Sequence, residues 1–197
     1  GGACLHVGCI PSKAFLFVSE LLGEAQRAKN LGIKFSDPEI DIQALRQWKQ
    51  RVIKGFSGGL AQLAKHRNVK FVHGHARFED SGSICVEDSP ISRIEFKNAI
   101  VATGSSPVSL PGIRLDNVCL MDSTGALQLS EIPRRLLVVG GGYIGLELGT
   151  VYAALGSQVT LVELTKGLLS GVDPDLVRPV EKRIRNMFKD VYLNTKV

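Results

Sequence analysis

The stretch RLLVVGGGYIGLELGTVYAALGSQVTLVE, residues 135–163, decides the fold. Residues 135–139 are a short apolar run bounded by turn residues, as a buried strand is. Gly140, Gly142 and Gly145 follow as G-x-G-x-x-G, and residues 140–155 read as a glycine turn opening into a helix. Residues 158–163 form a second strand ending on Glu163, eighteen residues after Gly145. In a chain with 21 glycines the glycine pattern alone is weak. Between a strand and a helix, with an acid closing the next strand, it points to a dinucleotide site. Gly140 would allow the tight turn, Gly142 the approach of backbone to a pyrophosphate, and Gly145 the close packing of helix on strand. The N–H groups at the start of the helix, near Tyr143 and Ile144 and beside Gly141, are then free for phosphate oxygens. Glu163 would accept hydrogen bonds from ribose hydroxyls and repel a 2′-phosphate, favouring NAD over NADP, with Lys166 nearby as the opposing charge. The competing reading is a glycine-rich turn in an unrelated α/β fold, with Glu163 on the surface.

Downstream, residues 174–188 read as a helix and 191–197 as a strand. The order β-α-β-α-β is the first half of a doubly wound nucleotide-binding domain. Upstream, residues 105–132 form a connector broken by Pro107 and Pro111, with Pro133 just beyond. Earlier still, apolar residues from Ala14 to Ala25 predict a helix ending near Gly32. Asp41 is an N-cap candidate for a second helix, in which Ile42, Leu45, Val52, Ile53, Leu60 and Leu63 recur at helical spacing. Gly58 and Gly59 interrupt that helix, as a kink or a close packing point. Residues 69–78, 83–87 and 93–102 alternate like strands, with turns at Asp80-Ser81-Gly82 and Asp88-Ser89-Pro90. Thr103, Gly104 and Ser105 end the last of these. Their small side chains would admit a ligand at a strand's carboxyl end, although taken alone they are an ordinary strand-terminating turn. The expected segments are 1–107, a connector over 108–130, and 131–197.

Composition narrows the function classes. The 197 residues are 44% hydrophobic and 22% charged, ordinary values for a globular chain with a sizeable core. The net charge of +5 is scattered along the chain. Its densest stretch, Arg178 to Lys189, also holds Glu181 and reads as the wet face of a helix. Basic residues are not interleaved with aromatics on one element, so no nucleic-acid partner is expected. No apolar run approaches the ~20 residues of a membrane span, so no membrane association is expected either. Four cysteines do not make a secreted disulfide scaffold. A reducing compartment is expected: the bacterial cytoplasm, or the mitochondrial matrix if the source is eukaryotic.

Cys4 and Cys9, in GGACLHVGCIPSKAF, admit three readings. Zinc normally needs four ligands, often as two close pairs, and neither Cys85, Cys119 nor the scattered histidines supply a second pair. A structural disulfide closing so small a loop would constrain the unfolded chain little. A dithiol/disulfide redox couple is the remaining reading. A helix beginning near Cys9 would favour its thiolate through the helix dipole, and Lys13 would add positive charge one turn later. His6, His66, His73 and His75 are given no catalytic role. Trp48 and the phenylalanines are expected in the core, and Cys85 and Cys119 are expected to be inert thiols.

Together these residues carry a resemblance. GGACLHVGCIPSK resembles the redox-disulfide signature G-G-x-C-x-x-x-G-C-x-P-S-K of the pyridine-nucleotide disulfide oxidoreductases. Thr103-Gly104 and GGGYIGLELG fall where that family has its second flavin motif and its NAD motif. The Ile-Pro-Ser-Lys ending, residues 122–127 (DSTGAL) and Glu163 are most similar to the dihydrolipoyl-oxidising branch of the family. The resemblance implies an α/β fold, a partial FAD/NAD(P)-binding, Rossmann-like two-domain arrangement with doubly wound β-α-β units and a small antiparallel sheet. It implies FAD and NAD as cofactors. The implied partner is a lipoyl domain, either of a 2-oxoacid dehydrogenase acyltransferase or of the glycine cleavage carrier protein, and a homodimeric parent protein is implied as well.

The resemblance also assigns roles. Cys4 would be the interchange thiol facing substrate, and Cys9 the thiol beside the flavin. Lys13 would support the charge of the reduced ring, and Glu147 would lie near the nicotinamide, paired with Lys13. Gly2, Ala3 and Cys4 would line the flavin by backbone, Ala76 would meet the adenine end, and Thr103, Gly104 and Ser105 the pyrophosphate. Flavin would carry two electrons between the thiolate and NAD, while protein groups supply position and field. Another disulfide reductase of the family, with glutathione-like or metal substrates, is the neighbouring alternative. A redox-inactive NAD-binding protein is the alternative from another class. The family's first G-x-G-x-x-G and its C-terminal His-Glu pair do not occur in these residues, so the chain is expected to be an internal piece of a longer enzyme.

Overall fold

The computed structural model describes residues 2–108, 112 and 119–197. Residues 109–111 and 113–118 of the connector, including Pro111, therefore lie outside the described residues.

The first two helices are joined by a single residue. Helix α1 (Gly2–Val7) ends against Gly8, and α2 (Cys9–Arg27) begins at once. Gly8 stands at φ −142°, ψ −116°, and a Cβ there would meet the Ala3 carbonyl oxygen and Cys4 Cα, each at 3.0 Å. A side chain there would press on the backbone of the preceding helix, which glycine avoids. A 3-10 turn, Ala28–Leu31, follows α2 and closes at Gly32, whose φ of +85° is the left-handed stop glycine favours.

Helix α3 (Ile42–His66) starts as expected at Asp41, whose carboxylate accepts the Ala44 N–H at 2.9 Å. It runs unbroken through Gly58 and Gly59, contrary to the expected interruption. A helical glycine costs only about 1 kcal/mol relative to alanine, too little to break a capped 25-residue helix.

An antiparallel sheet of order β1-β2-β3 follows: β1 (His75–Phe78), β2 (Ser83–Glu87) and β3 (Arg93–Glu95). The expected strands over 69–78 and 93–102 are thus much shorter. Residues 69–73 and 96–102 lie outside any strand, and Phe71 and Ile100 are 70% and 94% exposed. Alternation of apolar side chains makes a strand only where another strand offers ladder partners, and no described strand pairs with these segments.

Within the expected connector a short helix, α4 (Ser123–Gln128), is capped by Asp122, which accepts the Gly125 N–H at 2.7 Å. It ends at Leu129, left-handed at φ +49° and fully buried.

The remaining elements are β4 (Arg135–Val139), α5 (Tyr143–Ala154), β5 (Gln158–Val162), α6 (Pro174–Met187) and β6 (Asp190–Tyr192). The sheet is parallel with order β4-β5-β6, so each strand is joined to the next by a helix, as in a doubly wound half-domain. The last strand is shorter than the expected 191–197. Asn194 turns left-handed at φ +51°, and the chain then bonds back to Thr165 and Glu163.

Phe15, Leu146, Val151, Tyr152, Val159, Leu161 and Phe188 form one buried cluster. Phe15 comes from α2 and is 1% exposed, so the cysteine helix is packed into the same core as the glycine-turn helix α5. Burial of one such ring stabilises by roughly 2–3 kcal/mol. Two cross-links add to it. Tyr152 Oη donates to the Ala126 carbonyl at 2.9 Å, and Lys49 Nζ lies 5.4 Å over the Phe15 ring while donating to Leu127 O at 2.8 Å.

By length and composition, Gly2–Leu31 qualifies as a membrane span, at a mean hydropathy of 1.3, contrary to the expectation of no such run. Within it Pro11, Ser12, Ala14, Phe15 and Ser19 are buried against the core, whereas Phe17 and Leu21 are each 60% exposed.

Candidate redox and dinucleotide site

Cys4 lies in α1 and Cys9 is the first residue of α2. The turn at Gly8 folds the two helix ends onto each other, and the Cys4 thiol comes near enough to perturb the ionisation of Cys9. Both cysteines are exposed and unlinked. Helix α2 begins at Cys9 as expected, but the expected thiolate-favouring balance does not hold. The hydrogen bond with Cys4 raises the Cys9 thiol above its usual value, with desolvation and the Cys4 charge adding to the rise. Lys13 opposes this without overcoming it. A neighbouring thiol competes with ammonium and helix dipole for the same sulfur, and in this reduced pair the thiol prevails.

Lys13, one turn into α2, reaches Glu147 on α5, with Nζ 2.5 Å from Oε1. The lysine is 60% exposed and the carboxylate 26%. The other carboxylate oxygen, Oε2, accepts from Ser12 Oγ at 3.0 Å. Helices α2 and α5 are therefore joined by apolar contact at Phe15 and by a polar clasp beside it. Sequence reasoning paired Lys13 with Glu147 and missed Ser12. Its signal was present: Ser12 directly precedes the lysine, on the helix face that also buries Pro11 and Phe15.

The glycine turn links β4 to α5. Gly140 has φ +106°, and its N–H donates to Val162 O at 2.8 Å. A Cβ on Gly145 would lie 2.3 Å from the Gly140 carbonyl oxygen and 3.1 Å from Val138 Cγ1, so helix and turn touch only because no side chain intervenes. A Cβ on Gly142 would meet nothing within 4 Å. Gly142 caps α5 without a side-chain hydrogen bond, which leaves the N–H groups of the first turn facing open space. This is a cradle that a diphosphate fits and that a side chain at Gly142 would begin to fill.

Glu163 follows β5, beside this turn. Its Oε2 accepts the Gly141 N–H at 2.6 Å, and its Oε1 accepts from Thr165 N and Thr165 Oγ1, each at 2.7 Å. Burial pushes the carboxyl up. The N–H groups of Gly141, Thr165 and Leu164 and the Thr165 hydroxyl outweigh that, holding it below the usual carboxylate range. An ionised carboxylate with lone pairs to spare suits ribose hydroxyls and opposes a 2′-phosphate. Gly141 is the glycine with an unforeseen constraint: a Cβ there would strike Leu168 Cδ2 at 2.6 Å.

Cys4, Cys9, Lys13 and Glu147 are thus gathered at the junction of α1, α2 and α5, with Gly2 and Ala3 in α1. The glycine turn opens the same helix α5 that carries Glu147, and Glu163 stands beside that turn through the Gly141 N–H. Ala76 lies exposed on β1, and Thr103, Gly104 and Ser105 lie in an exposed segment outside any strand, with Gly104 left-handed at φ +82°. Sheet β1–β3 forms no substantial interface with the helices, so the residues expected along the adenine and pyrophosphate of FAD are not gathered around the cysteines. No cluster of three or more His, Cys, Asp or Glu suited to a metal occurs among the described residues.

A family profile described as pyridine nucleotide-disulphide oxidoreductase matches residues 1–197. The chain is 47% identical over 198 residues to a dihydrolipoyl dehydrogenase of Vibrio parahaemolyticus, covering 100% of this chain and 42% of the relative. It is 46% identical to one of Haemophilus influenzae, covering 100% and 41%, and 44% identical to one of Staphylococcus aureus, covering 94% and 40%. Among solved structures, the HOCl-induced flavoprotein disulfide reductase RclA of Escherichia coli superposes with a TM-score of 0.76 at 29% identity. That superposition covers 100% of this chain and 41% of RclA. The chain thus spans about two-fifths of the length of the relatives it matches.

Proposed function

Because this chain belongs to the pyridine nucleotide-disulphide oxidoreductase family, we propose that it is the redox-disulfide and NAD-turn portion of a dihydrolipoyl dehydrogenase. The carrying observation is the Lys13–Glu147 clasp at 2.5 Å. It fastens the helix that starts at Cys9 to the helix that starts at the glycine turn, so dithiol and dinucleotide chemistry share one rigid core. Identities of 40–47% to dihydrolipoyl dehydrogenases, against 29% to RclA, favour the dihydrolipoyl substrate over that of another disulfide reductase.

In the oxidised enzyme Cys4 and Cys9 form a disulfide. One thiolate of the dihydrolipoyl group attacks Cys4 Sγ, the Cys4–Cys9 bond breaks, and Cys9 leaves as thiolate. The second substrate thiol, deprotonated, attacks the mixed disulfide at the lipoyl sulfur. Lipoyl disulfide leaves and Cys4 takes up the electron pair. The substrate loses two electrons and two protons, and the protein disulfide gains the electrons. FAD, when bound, supplies the two-electron acceptor that passes this pair to NAD. Lys13 stabilises negative charge beside Cys9, and Glu147 holds Lys13 in place. The open cradle at Gly142 receives the diphosphate of NAD, and Glu163 takes its ribose.

The partner is a lipoyl domain carrying the dihydrolipoyl group, the complete enzyme is a homodimer, and its compartment is a reducing one, the cytoplasm or mitochondrial matrix. The segment division at 1–107, 108–130 and 131–197 belongs to the same proposal. The test is steady-state turnover of the complete enzyme with dihydrolipoamide. NAD should support NADH formation at least tenfold better than NADP does NADPH formation, by the charge argument at Glu163. Turnover of glutathione or mercuric ion with NADPH, and none of dihydrolipoamide with NAD, would overturn the proposal.

A further inference from the structure

We propose that Ser12 is a positioning residue: it fixes the carboxylate of Glu147, and through it the Lys13 ammonium, for electron transfer to and from the nicotinamide. The inference rests on the reading that Glu147 faces the nicotinamide.

The argument begins with what a lysine–glutamate pair can and cannot hold. Lys13 is a compact charge on a flexible four-carbon stem and is 60% exposed. The terminal torsion of glutamate is broad and roughly two-fold. Such a pair constrains a distance and leaves the orientation of the carboxylate loose. Ser12 is the opposite kind of group. It is 6% exposed, its stem is one carbon, and its backbone N–H is bound to Gly8 O at 3.1 Å. The fully buried Pro11 before it fixes the local backbone further.

Ser12 Oγ lies 3.0 Å from Glu147 Oε2 and 3.1 Å from the Cys9 carbonyl oxygen. A hydroxyl has one proton to give, and the ionised carboxylate is the stronger acceptor. The proton therefore goes to Glu147, whose two oxygens are then held by adjacent residues of α2. Ser12 is a hard stop and Lys13 an adaptable one. Because Ser12 also stands against the Cys9 carbonyl, the clasp is indexed to the first turn of the redox helix.

A purely local role for Ser12, as a back-bonded helix residue, makes a different prediction, and a double-mutant cycle separates the two. In the complete flavoenzyme carrying this chain, Ser12→Ala, Glu147→Gln and the double variant are compared for the rate of flavin reduction by NADH in stopped flow. Ser12→Ala should slow reduction about tenfold, the factor carried by one hydrogen bond to a charged group. Ser12→Thr, which keeps the hydroxyl, should restore most of the rate. In the Glu147→Gln background Ser12→Ala should add less than about twofold, since residues acting as a unit are non-additive. The same cycle on thermal unfolding reads the contact without any turnover, and should give a coupling of at least about threefold in the unfolding constant.

If Glu147→Gln slows reduction while Ser12→Ala does not, or if the two effects multiply, the positioning role is wrong and the reading of Glu147 stands. If Glu147→Gln leaves NADH reduction unchanged, that reading fails and the positioning role falls with it, even where the unfolding cycle shows the bond. An unfolding cycle with no coupling removes the contact itself and overturns the proposal.

Discussion

Gly142 and Gly145 belong to one motif, yet the structure gives them opposite vulnerabilities, and replacing each by alanine separates ligand space from packing space. Gly145 is closed in. Its Cβ would stand 2.3 Å from the Gly140 carbonyl oxygen, where ordinary contact begins at 3.4 Å, and the obstacle is backbone with no rotamer to change. Helix α5 must retreat from the turn by roughly 1 Å, and overpacking of that kind costs about 1–3 kcal/mol. For a chain of this size that lowers Tm by roughly 2–12 °C, at about 2–4 °C per kcal/mol. Gly142 is open. Its φ of −75° and ψ of 172° suit any residue, and its Cβ meets nothing within 4 Å. Gly142→Ala should leave stability within about 0.5 kcal/mol of wild type. Its methyl group nevertheless enters the cradle above the first turn of α5, and NADH binding should weaken at least about tenfold, or ~1.4 kcal/mol. Thermal unfolding and calorimetric titration with NADH on both variants of the complete protein read the two effects separately. Equal destabilisation by the two substitutions, or wild-type NADH affinity in Gly142→Ala, would refute the assignment of the open space to a diphosphate.

Three further outcomes follow from the same geometry. Glu163 has a folded-state carboxyl held below its usual value of 4.5, so its stabilisation is complete above that pH and is lost as pH falls through the folded value. Glu163→Gln should therefore lose less stability than wild type between pH 6 and about pH 3, read by unfolding midpoints; an equal loss would remove Glu163 from the acid response. The Cys4 hydrogen bond is the largest contribution raising the Cys9 thiol. In reduced Cys4→Ala, Cys9 should be alkylated by iodoacetamide faster at pH 8 than in the reduced wild type, measured site by site by mass spectrometry; slower labelling would contradict the assignment. Tyr152→Phe removes the donor to the buried Ala126 carbonyl and should cost about 1–2 kcal/mol in unfolding, whereas a neutral result would show that contact to be unimportant.

The nucleotide half was legible because its signals are local. Strand β4, the glycine turn, α5, β5 and α6 each announce themselves through short apolar runs, glycines and caps, and they were placed to within a few residues. The Asp41 cap was readable for the same reason. What failed depends on partners distant in sequence. Apolar alternation at 69–73 and 96–102 resembles strand, but a strand exists only with a ladder neighbour, and none of the described strands supplies one. Helix α1 was hidden in a glycine-rich opening that looks like loop, and α4 in a connector judged by its prolines rather than by Asp122. At the site, a sequence motif pointed to the cysteines, to Lys13 and to Glu147. Ser12 and the constraint on Gly141 emerged only when α2 met α5 and Leu168 met the turn. The direction of the Cys9 shift was misjudged because helix and charge are visible in sequence, whereas the thiol across the Gly8 turn is not.

The most direct test of the central claim is an anaerobic titration of the complete flavoenzyme with dihydrolipoamide, followed by absorbance. One equivalent should open the Cys4–Cys9 disulfide and produce a long-wavelength band from the Cys9 thiolate against the oxidised flavin. Cys9→Ser should abolish that band, and NAD should discharge it as NADH appears. Direct bleaching of the flavin with Cys4 and Cys9 still disulfide-bonded, or the same band in Cys9→Ser, would contradict the account.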